Sequence, residues 1–176
     1  MSHVMVDIET LSTRSNALIL TIGAIKFDLN GITPPLNEMD CFYQKIDIDS
    51  CKKYMHICND TVKWWDSQDK AIIEEAFGGE RLSLEQVIKD FTNWFSTSKY
   101  IWSHGACFDI PILDNAYILC GQKPPWKFSD VRDTRTIYDI GKVTSQDLPS
   151  DNKHHALYDC YRQIYGVQMA FKNIFQ

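Results

Sequence analysis

The sequence predicts an α/β fold with three layers, in which helices flank a mixed central β-sheet. Two observations favour this class. Three β-rich apolar runs lie near the N-terminus, and helix and strand patterns alternate through the rest of the chain. The length of 176 residues favours one domain, spanning residues 1–176.

The first three strands are expected to form an antiparallel meander. Residues 3–8 and 17–27 are β-rich apolar runs, and the second run ends near the turn signal Asn30-Gly31. A third strand is expected over residues 40–46, where aromatic residues favour strand structure.

Helix signals begin in the middle of the chain. Asn59 can cap a helix that carries two tryptophans, and Ser83 followed by Gln86 is a capping-box pattern before an amphipathic run. Further elements are a strand at 100–103, a helix over about 108–119, a connection at 121–135, and helices at 134–142 and 155–175. A meander followed by this alternation predicts an RNase H-like layout.

Composition and charge restrict the possible functions only mildly. The net charge of −5 gives no general attraction to polyanions, so nucleic-acid binding would need a local basic rim or bound metal. Carboxylates that hold divalent cations can still act on phosphodiesters, because the cations invert the local field. Six cysteines without a C-x-x-C pair predict reduced thiols, and no apolar run is long enough for a membrane span. A cytoplasmic location without a membrane partner is expected.

Three aspartates and a glutamate are candidates for a site. Asp7 and Glu9 are two residues apart on the first strand, so their side chains share one sheet face and repel each other. A solvated strand end is the ordinary alternative. Asp109 lies where a strand gives way to a helix, and it is either a helix N-cap before Pro111 or a ligand-binding acid.

The fourth acid, Asp159, lies in the last helix, five residues after His154. Side chains with that spacing project about 140° apart on a helix, so His154 is expected in the preceding loop or first turn. Asp151 and Asn152 can supply the cap. From the loop, a histidine could turn toward a cation held by Asp159.

Four carboxylates together with one histidine indicate phosphodiester hydrolysis. Hard oxygen ligands select Mg²⁺ or Mn²⁺, and two such ions about 4 Å apart can stabilise the attacking and leaving oxygens of an in-line displacement. A histidine can take the proton from the attacking water.

The motifs D-I-E, F-D and H-x-x-x-x-D occur in that order and resemble those of the DEDDh 3′–5′ exonucleases, which include proofreading subunits, ribonuclease T and oligoribonuclease. The likeness spans nearly the whole chain, and HHALYD is similar to the family signature H-x-A-x-x-D. The family spacing selects His154, rather than His155, as the catalytic histidine.

The resemblance also implies roles for the other acids. Asp7, Glu9 and Asp159 would hold the metal ion that activates water, while Asp7 and Asp109 would contact the second ion. His154 would be the general base. Two ions per active site are therefore expected.

Substrate contacts are expected on both sides of the acids. Aromatic side chains can stack on bases without sequence preference, with Trp64 and Trp126 as alternatives to Trp65. Arg132 is a second candidate for contacting phosphate, and Gly105 stands where many family members carry asparagine, so an amide contact is missing. The expected substrate-binding residues are Thr10, Leu11, Trp65, Phe108 and Arg135.

The segments TVKWWDSQ, FDIPILDNAY, PPW and DVRDTRT resemble a subgroup of small bacterial exoribonucleases and a phage exodeoxyribonuclease. The resemblance implies release of nucleoside 5′-monophosphates from 3′ ends of single strands or overhangs, with RNA slightly favoured over DNA. Two alternatives are a non-catalytic module that binds nucleic acid or protein, and an RNase H-like endonuclease. A homodimer is an open alternative to a monomer.

Overall fold

The computed structural model describes residues 2–149 and 154–175, so the cap predicted at Asp151 and Asn152 lies outside the described residues. Five strands form one mixed sheet in the order β3-β2-β1-β4-β5. The strands are β1 (His3–Thr10), β2 (Ile19–Phe27), β3 (Cys41–Lys45), β4 (Tyr100–Ser103) and β5 (Val131–Asp133). The first three strands pair antiparallel as predicted, whereas β4 and β5 run parallel to β1.

Seven helices accompany the sheet in the described part of the chain. They are α1 (Ile48–Cys51), α2 (Asn59–Asp66), α3 (Lys70–Phe77), α4 (Leu84–Phe95), α5 (Ala106–Leu119), α6 (Thr134–Gly141) and α7 (Ala156–Phe175). Within the described residues, no helix has the length and apolar character needed to cross a bilayer. All six cysteines are free thiols.

The sheet separates two hydrophobic clusters. Val4, Val6 and Ile8 point toward the face covered by α4 and α5, whereas Met5 points toward the face covered by α6 and α7. Because side chains alternate along a strand, Asp7 and Glu9 share the face of Met5. The acids of β1 therefore point toward α7.

Three elements differ from the predictions. The helices α1 and α3 were not predicted, and β5 lies in the segment 121–135 that was expected to be irregular. Helix α5 begins at Ala106 with Gly105 as its N-cap, so Asp109 is not a cap. Gly105 has a φ of 97°, a left-handed conformation that glycine adopts without steric cost.

The start of α7 lies directly on β2 because Gly23 has no side chain. A Cβ at Gly23 would lie 2.6 Å from the carbonyl carbon of Ala156 and 2.7 Å from the backbone nitrogen of Leu157. Gly23 pairs with Asp7 in the sheet. The close approach therefore brings the first turns of α7, including Asp159, next to Asp7.

Replacing Gly23 should loosen this contact. We expect Gly23→Ala to lower the free energy of unfolding by about 1–3 kcal/mol, because the added methyl meets backbone rather than a movable side chain. Urea denaturation measures the change. Gly121→Asn is the matched control, since Gly121 has a φ of 64° but no atom within 4 Å of its Cβ position, and asparagine tolerates this conformation. A loss for Gly23→Ala no larger than that of the control would contradict the close-packing argument.

Candidate active site

Three carboxylates meet between β1 and α7. Asp7 and Glu9 come from β1 and Asp159 from the first turns of α7, and one oxygen from each lies within 4.8 Å of the others. The period of the strand brings the first two together, and the contact at Gly23 brings the third. The donor set consists of oxygen atoms only, which suits Mg²⁺ or Mn²⁺.

Asp109 reaches the same region from the opposite face of the sheet. It lies in the first turns of α5 with 4% of its surface exposed. Its Oδ1 accepts a hydrogen bond of 3.3 Å from the backbone nitrogen of Ile8, the residue between Asp7 and Glu9. The four acids are thus neighbours along one short stretch of β1.

Burial and mutual repulsion make ionisation of the cluster costly. Burial, followed by the charges of the other acids, raises the pKa of Asp7 well above its usual range and that of Glu9 to about 7. Burial raises the pKa of Asp109 to about 7, and it also raises the pKa of Asp159. Without a nearby cation, the cluster therefore retains protons close to neutral pH.

Gln163 is a member of the site that the sequence did not reveal. It lies one helical turn beyond Asp159 on α7, and its Nε2 donates a hydrogen bond of 2.9 Å to Asp7 Oδ1. Its side chain is buried, with 7% exposed. The only sequence signal was its spacing of four residues from Asp159, which places both on one face of the helix.

The two adjacent histidines have different environments. Both precede α7, as the sequence predicted for His154. The backbone nitrogen of His154 donates to Asp159 Oδ2 at 3.1 Å, and its ring meets the ring of Trp64 edge-on at 5.1 Å. No described residue hydrogen-bonds to the ring nitrogens of His154. The described contacts of His154 thus leave both ring nitrogens available for proton transfer.

His155 packs against β3 and the end of α3 instead. Its ring stacks on Tyr43 at a centroid distance of 4.7 Å, and its Nε2 lies 3.7 Å from Glu75 Oε1. Burial lowers the pKa of His155. This histidine therefore has a structural environment rather than one open to substrate.

The structure contradicts the expected stacking of a base on Trp65. Only 1% of Trp65 is exposed, and its indole nitrogen donates to the backbone oxygen of Thr10 at 2.9 Å. The alternative Trp126 is also a core residue, with 8% exposed. Trp64 is 42% exposed and is the aromatic ring beside His154. Two adjacent helical residues diverge by about 100°, and packing buried the second of this pair.

The remaining candidates for substrate contact lie around the acids. Thr10 and Leu11 follow Glu9 and are largely buried, with 7% and 4% exposed. Phe108 is half-buried beside Asp109 and packs against the core, and Arg135 is exposed at the start of α6. Apart from Trp65, these candidates thus lie at the end of β1 or in the first turns of α5 and α6.

A cavity of about 280 Å³ adjoins the acids on the α6 and α7 side. Its lining residues are Asp7, His104, Tyr138, Ser145, Leu148, Asp159, Arg162 and Gln163. A larger cavity of about 670 Å³ lies between residues 29–33 and the C-terminal half of α7, and its lining among the described residues includes no carboxylate. The acids therefore mark the site, although the larger cavity is elsewhere.

Solved structures similar to this chain are nucleases. Exonuclease I of E. coli in complex with a 5cy-dA13 oligonucleotide matches with a TM-score of 0.62 and 17% identity, over 96% of this chain and 40% of that chain. Exonuclease X in complex with 5′ overhanging duplex DNA matches with a TM-score of 0.54 and 18% identity, over 97% and 91%. The Mg²⁺- and Mn²⁺-bound form of S. pombe Pop2p matches with a TM-score of 0.54 and 10% identity, over 97% of this chain and 81% of that chain.

These likenesses confirm the RNase H-like exonuclease fold. The chain spans only about two fifths of exonuclease I. At such low sequence identity, the structural likeness identifies the fold alone.

Comparison by sequence identifies the family. No curated protein sequence matches the chain. A family model described as the 3′-5′ exoribonuclease Rv2179c-like domain matches residues 2–171, nearly the whole chain. The match confirms the resemblance to 3′–5′ exonucleases, and the chain belongs to the 3′-5′ exoribonuclease Rv2179c-like domain family.

Proposed function

We propose that this 3′–5′ exonuclease domain hydrolyses single-stranded nucleic acid from its 3′ end, releases nucleoside 5′-monophosphates and prefers RNA to DNA. The observation that carries the proposal is the approach of Asp7, Glu9 and Asp159 to within 4.8 Å, with Asp109 beside them. The preference for RNA rests on the description of the family and on the subgroup motifs.

We expect the donor set to bind two divalent cations, Mg²⁺ or Mn²⁺. Asp7, Glu9 and Asp159 would hold one ion, and Asp7 and Asp109 would contact the second. When bound, the ions would lower the pKa of a water molecule and stabilise charge on the transferred phosphate. The raised pKa values of the acids support this assignment, because a cation would offset the burial and the mutual repulsion that raise them.

His154 would take the proton from the attacking water. The hydrogen bond from its backbone nitrogen to Asp159 holds the residue next to a carboxylate of the cluster. Its ring packs nearly perpendicular to the ring of Trp64, which limits the orientations that the imidazole can adopt. General-base catalysis requires such a ring within reach of the water and free to accept a proton.

The terminal nucleotide would lie between the end of β1 and the start of α5. Thr10 and Leu11 follow Glu9 on one side, and Phe108 precedes Asp109 on the other. Trp64, rather than Trp65, would offer the aromatic surface to the base. Trp65 would contribute indirectly, because its hydrogen bond fixes the backbone oxygen of Thr10.

A binding module without catalysis is the second candidate function. A pure binder has no use for four clustered acids whose ionisation burial opposes. An endonuclease on the same fold is the third candidate. A homodimer finds no support in the described residues or in the comparisons.

Stepwise shortening of labelled strands tests the proposed function. On matched 5′-labelled RNA and DNA oligonucleotides, we expect a ladder that shortens from the 3′ end with Mg²⁺ or Mn²⁺ and stops with EDTA. The RNA ladder should shorten faster. Circular single strands are the control, since an endonuclease opens a circle and an exonuclease needs an end. Metal-stabilised protein that shortens neither strand would favour the binding module.

Substitution of each histidine tests the assignment of the base. We expect His154→Ala to lower kcat by roughly 100-fold or more, the usual contribution of general-base catalysis. His155→Ala removes the stacking on Tyr43, so it should lower the melting temperature while changing kcat by less than about threefold. Single-turnover cleavage rates of both variants measure the difference. Equal losses of rate would rule out His154 as the specific base.

The stability of the protein in EDTA should fall as pH rises from 5 to 8. Glu9 and Asp109 have folded pKa values of about 7, above their ordinary values of 4.5 and 3.8. The folded state therefore binds these protons more tightly, and this contribution to stability is lost as pH passes through about 7. In thermal melts in EDTA, the melting temperature of Glu9→Gln should fall less between pH 5 and pH 8 than that of the unchanged protein.

The metal should counteract this loss. Because binding displaces protons, Mn²⁺ should raise the melting temperature more at pH 8 than at pH 6. Glu80→Gln, which removes an exposed acid outside the site, is the matched control and should melt like the unchanged protein. A pH-independent metal effect would contradict proton release from the cluster.

A further inference from the structure

The guanidinium group of Arg135 occupies the space that a side chain at position 105 would take. A Cβ on Gly105 would lie 2.8 Å from Nη1 of Arg135, 3.0 Å from Cζ and 3.3 Å from Nη2. A side chain at this position would therefore require the guanidinium group, the end of a flexible side chain, to move from its observed place. Many members of the resembled family carry an asparagine at this position; here the space is occupied by a positive charge from another element.

Asp133 fixes the position of Arg135 relative to Gly105. One carboxylate oxygen of Asp133 accepts from the backbone nitrogen of Arg135 at 2.8 Å, and the other accepts from the backbone nitrogen of Ala106 at 2.7 Å. A single side chain thus joins the first turn of α6 to the first turn of α5. The arginine is held at the same edge of the sheet as Asp109.

The hydrogen-bond donors of Arg135 are uncommitted. Among residues 2–149 and 154–175, no carboxylate pairs with its guanidinium group and no acceptor hydrogen-bonds to it, and the residue is exposed. Arg132 differs, because its Nη1 donates to the backbone oxygens of Ser129 and Val131 at 2.8 Å each, and it lies over the ring of Tyr100. Of the two arginines singled out in the sequence, Arg132 has its Nη1 committed to backbone oxygens and its ring-facing side on Tyr100, whereas no described residue engages the guanidinium of Arg135.

The charge of Arg135 acts on the acidic site. Burial raises the pKa of Asp109, and Arg135 opposes that rise. Burial also lowers the pKa of His104, and Arg135 adds to this effect. The charge of Arg135 is therefore felt at Asp109, one of the acids of the site.

We infer that Arg135, seated in the space left by Gly105, binds one backbone phosphate of the substrate strand next to the scissile bond. The inference rests on the proposed function and specifies the chemical group that is recognised. The planar guanidinium group matches two phosphate oxygens, so the contact is ionic and independent of the base. It adds a local cation to a chain whose net charge is −5.

The salt dependence of binding tests the contact. We expect Arg135→Gln to reduce the slope of log Kd against log KCl concentration by about 0.7 for a single strand, the change for one lost phosphate contact. Fluorescence anisotropy of a labelled RNA oligonucleotide in EDTA measures the slope without cleavage. Arg132→Gln removes the same charge three residues away and should retain the slope of the unchanged protein. Equal slopes for all three proteins would overturn the inference.

Neutral linkages locate the phosphate. Three RNA oligonucleotides would each carry one neutral methylphosphonate, at the last, the second-last or the third-last linkage. For one of the three, Arg135→Gln and the unchanged protein should bind equally well, because the contacted phosphate is already neutral. If Arg135→Gln weakens binding by the same factor for every oligonucleotide, the arginine does not contact one phosphate of the 3′ end.

Gly105→Ala provides an independent test. The added Cβ would displace the guanidinium group, so this variant should lose the same part of the salt slope as Arg135→Gln. The double variant should lose no more than either single variant. Gly105→Ala also introduces backbone strain at a φ of 97°, so circular dichroism should establish that the variant is folded before the slopes are compared.

The outcomes separate this inference from the proposed function. If the unchanged protein shortens RNA but the salt slopes coincide, only the phosphate contact is wrong. If it binds RNA with the expected difference in slope but shortens neither RNA nor DNA with metal, the exonuclease proposal is wrong and the contact stands. If the unchanged protein neither binds RNA in EDTA nor shortens RNA or DNA with metal, both are wrong.

Discussion

The cost of ionising four clustered carboxylates, which comes from their desolvation and then from their mutual repulsion, is the constraint on which the site depends. Three of them accept a hydrogen bond from a neutral donor: Asp7 from Gln163, Asp109 from the backbone of Ile8, and Asp159 from the backbone of His154. Neutral donors reduce the cost of burial without adding positive charge. The fold therefore holds the acids in place but leaves their repulsion for a cation to offset.

The change of strand direction at β1 explains how distant residues meet. Antiparallel pairing with β2 places Gly23 opposite Asp7, so α7 can approach and deliver Asp159. Parallel pairing with β4, which itself pairs parallel with β5, brings the C-terminal ends of these strands to one edge of the sheet. Loops at such an edge are where open α/β sheets bind ligands, and Asp109 and Arg135 follow β4 and β5 there.

The sequence predicts best those features that repeat along a regular element. The alternation along β1 placed Asp7 and Glu9 on one face, and the apolar stripe identified α4. The strand β5 has three half-buried residues and no detectable period, so it was missed. The periodicity of α2 indicated that its two tryptophans diverge, but only packing against Thr10 and Phe77 determined which one is buried.

Site residues held by tertiary contacts lie beyond such patterns. The absence of an amide at Gly105 was visible in the sequence. That a residue 30 positions later fills the space was not, because the contact depends on Asp133 joining two helices. Likewise, the spacing of Gln163 from Asp159 showed a shared helix face but not that Asp7 lies opposite.

The backbone at His154 couples the histidine to the charge of the acids. This residue has a φ of 63°, an unfavourable conformation for a residue other than glycine that must be stabilised by its surroundings. The hydrogen bond from its backbone nitrogen to Asp159 supplies part of that stabilisation and is stronger when the carboxylate is ionised. A cation that keeps Asp159 ionised would therefore also favour the orientation in which the ring of His154 is free to accept a proton. Under the proposed function, metal binding and placement of the base would both depend on the carboxylate of Asp159.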